Sequence, residues 1–392
     1  MEENRKGRKI YQVVMLIIIT ALISSLITLI VINKKISSTS LVDSGIESSL
    51  ASIRSMLEAV YIGDLDDEQM LQMAIKGYVA GVGDDYTVYY TPDEMTEQYE
   101  TATGNYVGIG IYMIVNYEEG TITITEAMDD SPAQAAGLQE GDMIIAVDGT
   151  EVTVDNVSDM SDAIKGEEGT TVNLEIQRDD ETFEVEVERQ TIEVSHIESR
   201  MLEDNFAYIQ ITDFDGGTAD EFKENYESLQ SQGATSLIID IRDNGGGLVD
   251  EAIEILEMIC DKGSTLLIEV DKDGDEEIIT SEEDPIIDVP IVVLTNGNSA
   301  SASEILAGAL KDNGKATIVG ETTYGKGVMQ TLYTLSDGSG LKVTTAEYYT
   351  ASRTTINGVG IEPDIEVSLP DDIEELTDEN DTQLQRAIEE LK

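Results

Sequence analysis

Three serines and one lysine are the residues of this sequence best able to do covalent chemistry. Ser299, Ser301 and Ser303 stand just before a helix-like run in NGNSASASEILAGALKDNGKATIVGETTYGKGVMQ (296–330), and Lys326 follows it in a glycine-lined loop. A serine nucleophile needs a base near neutral pH. A lysine can be that base if it is desolvated; lowering its pKa from about 10.4 to about 7–8 amounts to roughly 3–5 kcal/mol against the charged form. Lys326 lies between Gly325 and Gly327, beside the apolar ATIVG and Val328, which could bury it in this way. Ser301 to Glu304 also reads S-x-x-E ahead of an apolar helix, and taken alone that is a capping box. The free N–H groups and dipole of a helix start favour developing negative charge as well.

The other chemical signals are Asp243-Asn244-Gly245-Gly246-Gly247, GETTYGKG at 320–327, His196 and Cys260. Three glycines between a buried strand and a helix let backbone N–H groups approach an anion, either a phosphate or an oxyanion. GETTYGKG nearly matches the phosphate loop, but Gly327 stands where a magnesium-binding hydroxyl is required and VMQTLYTL then alternates like a strand. A nucleotide site is therefore set aside. The single histidine leaves one candidate for a Ser-His pair and no multi-histidine metal site, and it sits in a strand-like alternation. The single cysteine, within the helical spacing of EILEMICD, permits neither an intrachain disulfide nor a cysteine-based zinc site.

The elements that must hold these residues follow from periodicity. After Thr191, apolar runs at 237–242, 265–270, 290–295, 316–321 and 341–349 read as buried strands. TADEFKENYESL, VDEAIEILEMICD and SEILAGALKDN between them have helical spacing, and the alternation predicts an α/β core with largely parallel strands. Residues 36–96 read as a helical segment carrying apolar stripes, either core or a dimer seam. Residues 13–32 are about twenty mostly apolar side chains flanked by basic residues, the ~20 needed to cross a bilayer as a helix. They exceed the hydrophobic region of a cleaved signal peptide. The expectation is a signal anchor with residues 1–12 cytoplasmic and the rest outside, a single-pass protein of the cell membrane, with a removed signal as the alternative because ISSTS could still be cut.

From about Gly104 to Arg189, short alternating strands surround SPAQAAGLQEGDMIIAVDGTEV. The pattern SPAxxAGLxxGDxIxxVDG resembles a PDZ domain of the kind found in bacterial proteases. That resemblance implies that the loop of Gly108, Ile109, Gly110 and Ile111 presents N–H groups to a terminal carboxylate, with an extended peptide added to the neighbouring strand edge.

SASASEILAGAL, with GKG twenty-five positions beyond Ser301, Gln330 four beyond the lysine, LIIDIRDNGGG and NGVGIEPDIEV together resemble the carboxy-terminal processing peptidases, a serine protease family. The resemblance implies a Ser-Lys dyad in a crotonase-like α/β core, with Ser301 as nucleophile, Lys326 as general base and Gln330 orienting the lysine amine. In an extended segment Lys326, Val328 and Gln330 point to one side. The oxyanion hole by analogy uses the N–H groups of Ala302 and Gly246. Two departures stand out: the usual N-P-G-G is Asn244-Gly245-Gly246-Gly247, a less rigid loop, and D-P-Y-S is Asp84-Asp85-Tyr86-Thr87, expected to lie outside the dyad without catalytic consequence.

The expected fold class is thus α/β and β modules: a transmembrane helix at 13–32, a helical segment at 36–96, a mostly β PDZ domain at 97–190, a protease core at 191–368 and a helical tail at 369–392. The expected function is an anchored endopeptidase that binds protein carboxyl termini and cuts by acyl-enzyme chemistry, with no metal or organic cofactor called for; the family resemblance adds a homodimer. The rivals are a catalytically silent PDZ scaffold and a crotonase-type acyl-thioester enzyme. Nucleic acid is not an expected partner in any of these, because 80 acidic residues against 23 basic give a formal charge of -57 spread along the chain.

Overall fold

A computed structural model of the chain describes residues 45–103, 105–370 and 376–392. The expected fold class needs one correction. Among the described residues no helix is long and apolar enough to cross a membrane. The longest, Ile46–Val60, has 15 residues, which at 1.5 Å each spans about 22 Å against the ~30 Å of a hydrocarbon core. The stretch 13–32 lies outside the described residues. What stands is a β module and an α/β core. The chain divides into compact units at 1–74 and 75–392. In the first, Arg54 pairs with Glu58 and Asp67, each at 2.7 Å, and helix Ile46–Val60 buries no residue.

In the second unit, runs such as SLIID, IVVLT and ATIVG are apolar at nearly every position because both faces of their strands are covered. They belong to a six-stranded sheet ordered Ile197–Met201, Phe206–Ile211, Ser236–Asp240, Ile291–Thr295, Ala316–Gly320, Ile365–Glu366. The first pair is antiparallel and the rest parallel. Helices Thr218–Ser231, Val249–Ile259 and Ala302–Asp312 cover one face, joining Phe222, Ile255 and Leu306 to Ile209, Ile239 and Val293 in one cluster. Helix Thr382–Glu390 covers the other, with Leu384 and Ala387 against Ile238, Val292 and Val319. Each such side chain, fully buried, contributes about 1.5–3 kcal/mol. Cys260, at the end of helix Val249–Ile259, is part of this core, and burial pushes its thiol up to about 11.

The terminal helix is also tied electrostatically. The Arg242 guanidinium meets Asp240 at 2.6 Å and Asp381 at 2.8 Å and donates to Gln383 Oε1 at 3.0 Å. Asp381 caps the helix by accepting from the N–H groups of Gln383 and Leu384.

Two strands expected in the parallel core lie elsewhere. Thr265–Asp271 and Gly340–Tyr349 form an antiparallel sheet with Glu276–Thr280, Val88–Tyr90 and Val328–Thr334. Their apolar runs look like those of the central strands, and only pairing separates them. The β module is a sheet ordered Ile111–Asn116, Thr121–Ala127, Met143–Val147, Thr171–Arg178, Glu181–Glu188, closed over Ile122, Ile144, Leu174 and Ile176 by helix Val157–Ile164.

Candidate active site

Strands Ser236–Asp240, Ile291–Thr295 and Ala316–Gly320 are parallel neighbours, so the loops leaving their carboxyl ends emerge side by side. Those loops carry the glycine triplet, the three serines and Lys326. Open α/β sheets build their sites at this end.

Hydrogen bonding sorts the serines. Ser299 and Ser303 are 0% exposed, and their hydroxyls donate to the carbonyls of Ile241 at 2.8 Å and Asn244 at 3.0 Å. Ser301 is half-buried and lines a cleft of about 310 Å³ with Lys326, Gln330, Gly247 and Tyr348. Its backbone, φ 58° and ψ −115°, is one that a residue with a side chain rarely adopts. Gly246 permits this arrangement: a Cβ there would stand 2.7 Å from Ser301 Cβ.

Asn244 supplies the rigidity that the missing proline would have given. It is fully buried; its Nδ2 donates to Ile211 O at 2.9 Å, its Oδ1 accepts the Gly246 N–H at 2.8 Å, and its carbonyl accepts the Ala300 N–H at 3.0 Å. The Gly246 N–H, expected to face an oxyanion, is therefore engaged. Gly247 lines the cleft, and the N–H of Ala302, at the start of helix Ala302–Asp312, meets no acceptor among the described residues.

Glu304 joins the two reactive loops. The carboxylate is 0% exposed and accepts four hydrogen bonds: from the N–H groups of Ser301 (2.9 Å), Lys326 (2.8 Å) and Gly325 (2.7 Å), and from the Thr323 hydroxyl (2.6 Å). The expected capping box is present, and its Glu304 half reaches on to the lysine loop. The Lys326 amine itself forms no ion pair or hydrogen bond among the described residues. Burial, then the charge of Lys342, draws its pKa below the ordinary lysine value, with Glu304 opposing.

Two tyrosines at the cleft are assigned there by no motif of the sequence. The Tyr86 ring centroid lies 4.9 Å from Lys326 Nζ, so the Asp84–Thr87 stretch, expected to be remote, packs on the lysine. Nothing local marks this, because strand Val88–Tyr90 reaches the site by pairing with residues 340–342. Tyr348, buried in strand Gly340–Tyr349, donates to the Lys326 carbonyl; burial pushes its phenol far up, while a hydrogen bond with Ser301 opposes this. Gln330 Nε2 donates to Val328 O at 3.2 Å and Thr344 Oγ1 at 3.4 Å. A bulge between Met329 and Gln330 breaks the expected alternation, and Val328, Met329 and Gln330 all line the cleft.

A second cavity, of about 460 Å³, is lined by Gly108, Ile109, Gly110 and Ile111. The N–H groups of Ile109 and Gly110 have no acceptor among the described residues. His196 lines this cavity and not the Ser301 cleft, with Nε2 3.4 Å from Asp215 Oδ2. Asp215 lines both cavities.

Residues 205–367 match peptidase family S41, and residues 123–178 match the PDZ domain. The chain is 34% identical over 363 residues to the carboxy-terminal processing protease CtpA of Bacillus subtilis, covering 91% of this chain and 77% of that one. It is 35% identical over 296 residues to the carboxyl-terminal-processing protease of a Picosynechococcus species, covering 74% and 71%. A solved structure, the photosystem II D1 C-terminal processing protease, is similar at TM-score 0.49 and 29% identity over 86% of this chain and 89% of that one.

Proposed function

Since the chain belongs to peptidase family S41, among its carboxy-terminal processing serine proteases, we propose that it holds the carboxyl terminus of a protein beside Ile109 and Gly110 and cleaves a peptide bond upstream with Ser301. The observation that carries this reading is the sorting of the serines. Only Ser301, of the three, keeps its hydroxyl off a backbone carbonyl, and it shares a cleft with a lysine that has no carboxylate partner among the described residues.

In this mechanism Ser301 Oγ attacks the scissile carbonyl carbon as the neutral Lys326 amine takes its proton. The N–H groups of Ala302 and Gly247 stabilise the oxyanion. Gly246, its N–H engaged by Asn244, contributes instead the absence of a side chain beside Ser301. The C–N bond then breaks, and the Lys326 ammonium returns its proton to the departing amine. Water attacks the acyl ester, Lys326 takes the water's proton, and cleavage of the ester C–O bond returns a proton to Ser301. Gln330 orients the lysine amine. The tail lies in the 460 Å³ groove, where free N–H groups suit a terminal carboxylate.

Casein digestion by the full chain and by Ser301→Ala tests this. The variant is expected to lose about 10³-fold or more of the rate while binding a carboxyl-terminal peptide as before. Equal digestion by both would remove the mechanism, and absence of digestion by either would favour a silent tail-binding scaffold.

A further inference from the structure

The Asp84–Thr87 stretch is joined to the catalytic cleft by a chain of hydrogen bonds with one possible direction. Strand Val88–Tyr90 pairs antiparallel with residues 340–342, Val88 opposite Lys342, and so brings Asp84 beside Thr344. Asp84 Oδ2 accepts the hydroxyl of Thr344 at 2.7 Å and that of Thr87 at 2.5 Å, and Thr87 Oγ1 accepts the Thr344 N–H at 3.2 Å. Burial pushes the Asp84 carboxyl up, but these bonds outweigh it and hold the group below the ordinary carboxylate range. An ionised carboxylate only accepts. The single Thr344 hydroxyl proton therefore goes to Asp84, leaving Thr344 Oγ1 as an acceptor for Gln330 Nε2 at 3.4 Å. The other Nε2 proton goes to Val328 O at 3.2 Å.

With both N–H groups engaged, the Gln330 amide cannot exchange its oxygen and nitrogen without setting acceptor against acceptor at both Val328 O and Thr344 Oγ1, whose own proton is held by Asp84. Its Oε1 is left as the polar atom free of partners among the described residues. A neutral lysine amine has two N–H donors and one lone pair, and an acceptor on one N–H restricts where that lone pair points. Tyr86, on the same stretch as Asp84, covers the amine with its ring.

We propose that Asp84 and Thr344 are positioning residues of the proteolytic reaction, locking the Gln330 amide so that its oxygen faces the Lys326 amine. This rests on the assignment of Gln330 as the group that orients Lys326. A purely structural tie between strands would show the same bonds, so the test reads coupling to Gln330.

Steady-state cleavage of a quenched-fluorescence peptide by the full chain is measured for Thr344→Val, Thr344→Ser, Asp84→Asn, Gln330→Ala and the Thr344→Val/Gln330→Ala double variant. Thr344→Val and Asp84→Asn are each expected to lower kcat about 10-fold with KM within about 2-fold, a loss of orientation in place of binding. Thr344→Ser, which keeps the hydroxyl, restores most of the rate. In the Gln330→Ala background Thr344→Val has no further effect, because the relay has nothing left to orient. Losses that multiply in the double variant, or a Thr344→Val variant altered in Tm alone, overturn the relay while leaving the Gln330 assignment intact. A silent Gln330→Ala overturns both.

Discussion

Arg242 and Lys326 both follow strands of the central sheet and both are withdrawn from water, yet their surroundings treat the charge in opposite ways. Arg242 is 7% exposed and meets two carboxylates; burial pulls its pKa down, but the bonds and charges of Asp240 and Asp381 outweigh that and hold the guanidinium charged. Lys326 is half-buried, pairs with no carboxylate among the described residues, faces a tyrosine ring and is pushed toward neutrality by burial and by Lys342. A carboxylate does lie close to Lys326. The lone pairs of Glu304 are taken by three backbone N–H groups and a hydroxyl, so Glu304 fixes the lysine's backbone and leaves its amine unpaired. The direction of the neighbouring lone pairs, more than depth of burial, separates a structural cation from one suited to carry a proton.

The strongest way to break this comparison is to give the Lys326 position a cation that cannot be neutralised. Lys326→Arg is expected to reduce casein cleavage about 10⁴-fold, since a guanidinium stays charged and cannot act as base, while calorimetric titration still detects carboxyl-terminal peptide binding. A variant that still cleaves would end the role given to Lys326. Next in size, Arg242→Met leaves Asp240 and Asp381 facing each other without a cation and is expected to lose about 3–5 kcal/mol in urea unfolding. A loss below about 1 kcal/mol would show that the cluster does not hold the terminal helix. The smallest effect sharpens the contrast. Lys342→Gln removes a like charge, so the Lys326 ammonium becomes less unfavourable and its pKa rises. The acidic limb of kcat/KM against pH should move to higher pH by about half a unit or less; movement to lower pH would contradict the assigned cause.

Much of this was legible in the sequence, for reasons visible in particular residues. SLIID, IVVLT and ATIVG announce strands covered on both faces, and the spacing of SASASE to GKG reflects one helix and one strand between adjacent loops. What stayed hidden depends on distant pairing. TLLIEV has the same apolar pattern as the central strands but pairs antiparallel in another sheet. Tyr86 and Asp84 reach the cleft only because residues about 250 positions later pair with the strand beside them. The engaged Gly246 N–H is decided by one hydrogen bond and the bulge at Gln330 by a shift in strand register, and residue spacing resolves neither.

The pairing of strand Val88–Tyr90 with strand Gly340–Tyr349 also sets an order of assembly. The aromatic cover of Lys326 comes from residue 86 and its phenolic neighbour from residue 348. The strand pairing that brings them together closes a loop of about 250 residues, and loop closure must precede any gain from it. A chain emerging from the ribosome holds Asp84 and Tyr86 long before Thr344 and Tyr348 exist. The cleft therefore cannot be complete until Tyr348 has been made, and a nascent chain short of that residue lacks the assembled machinery to cut its neighbours.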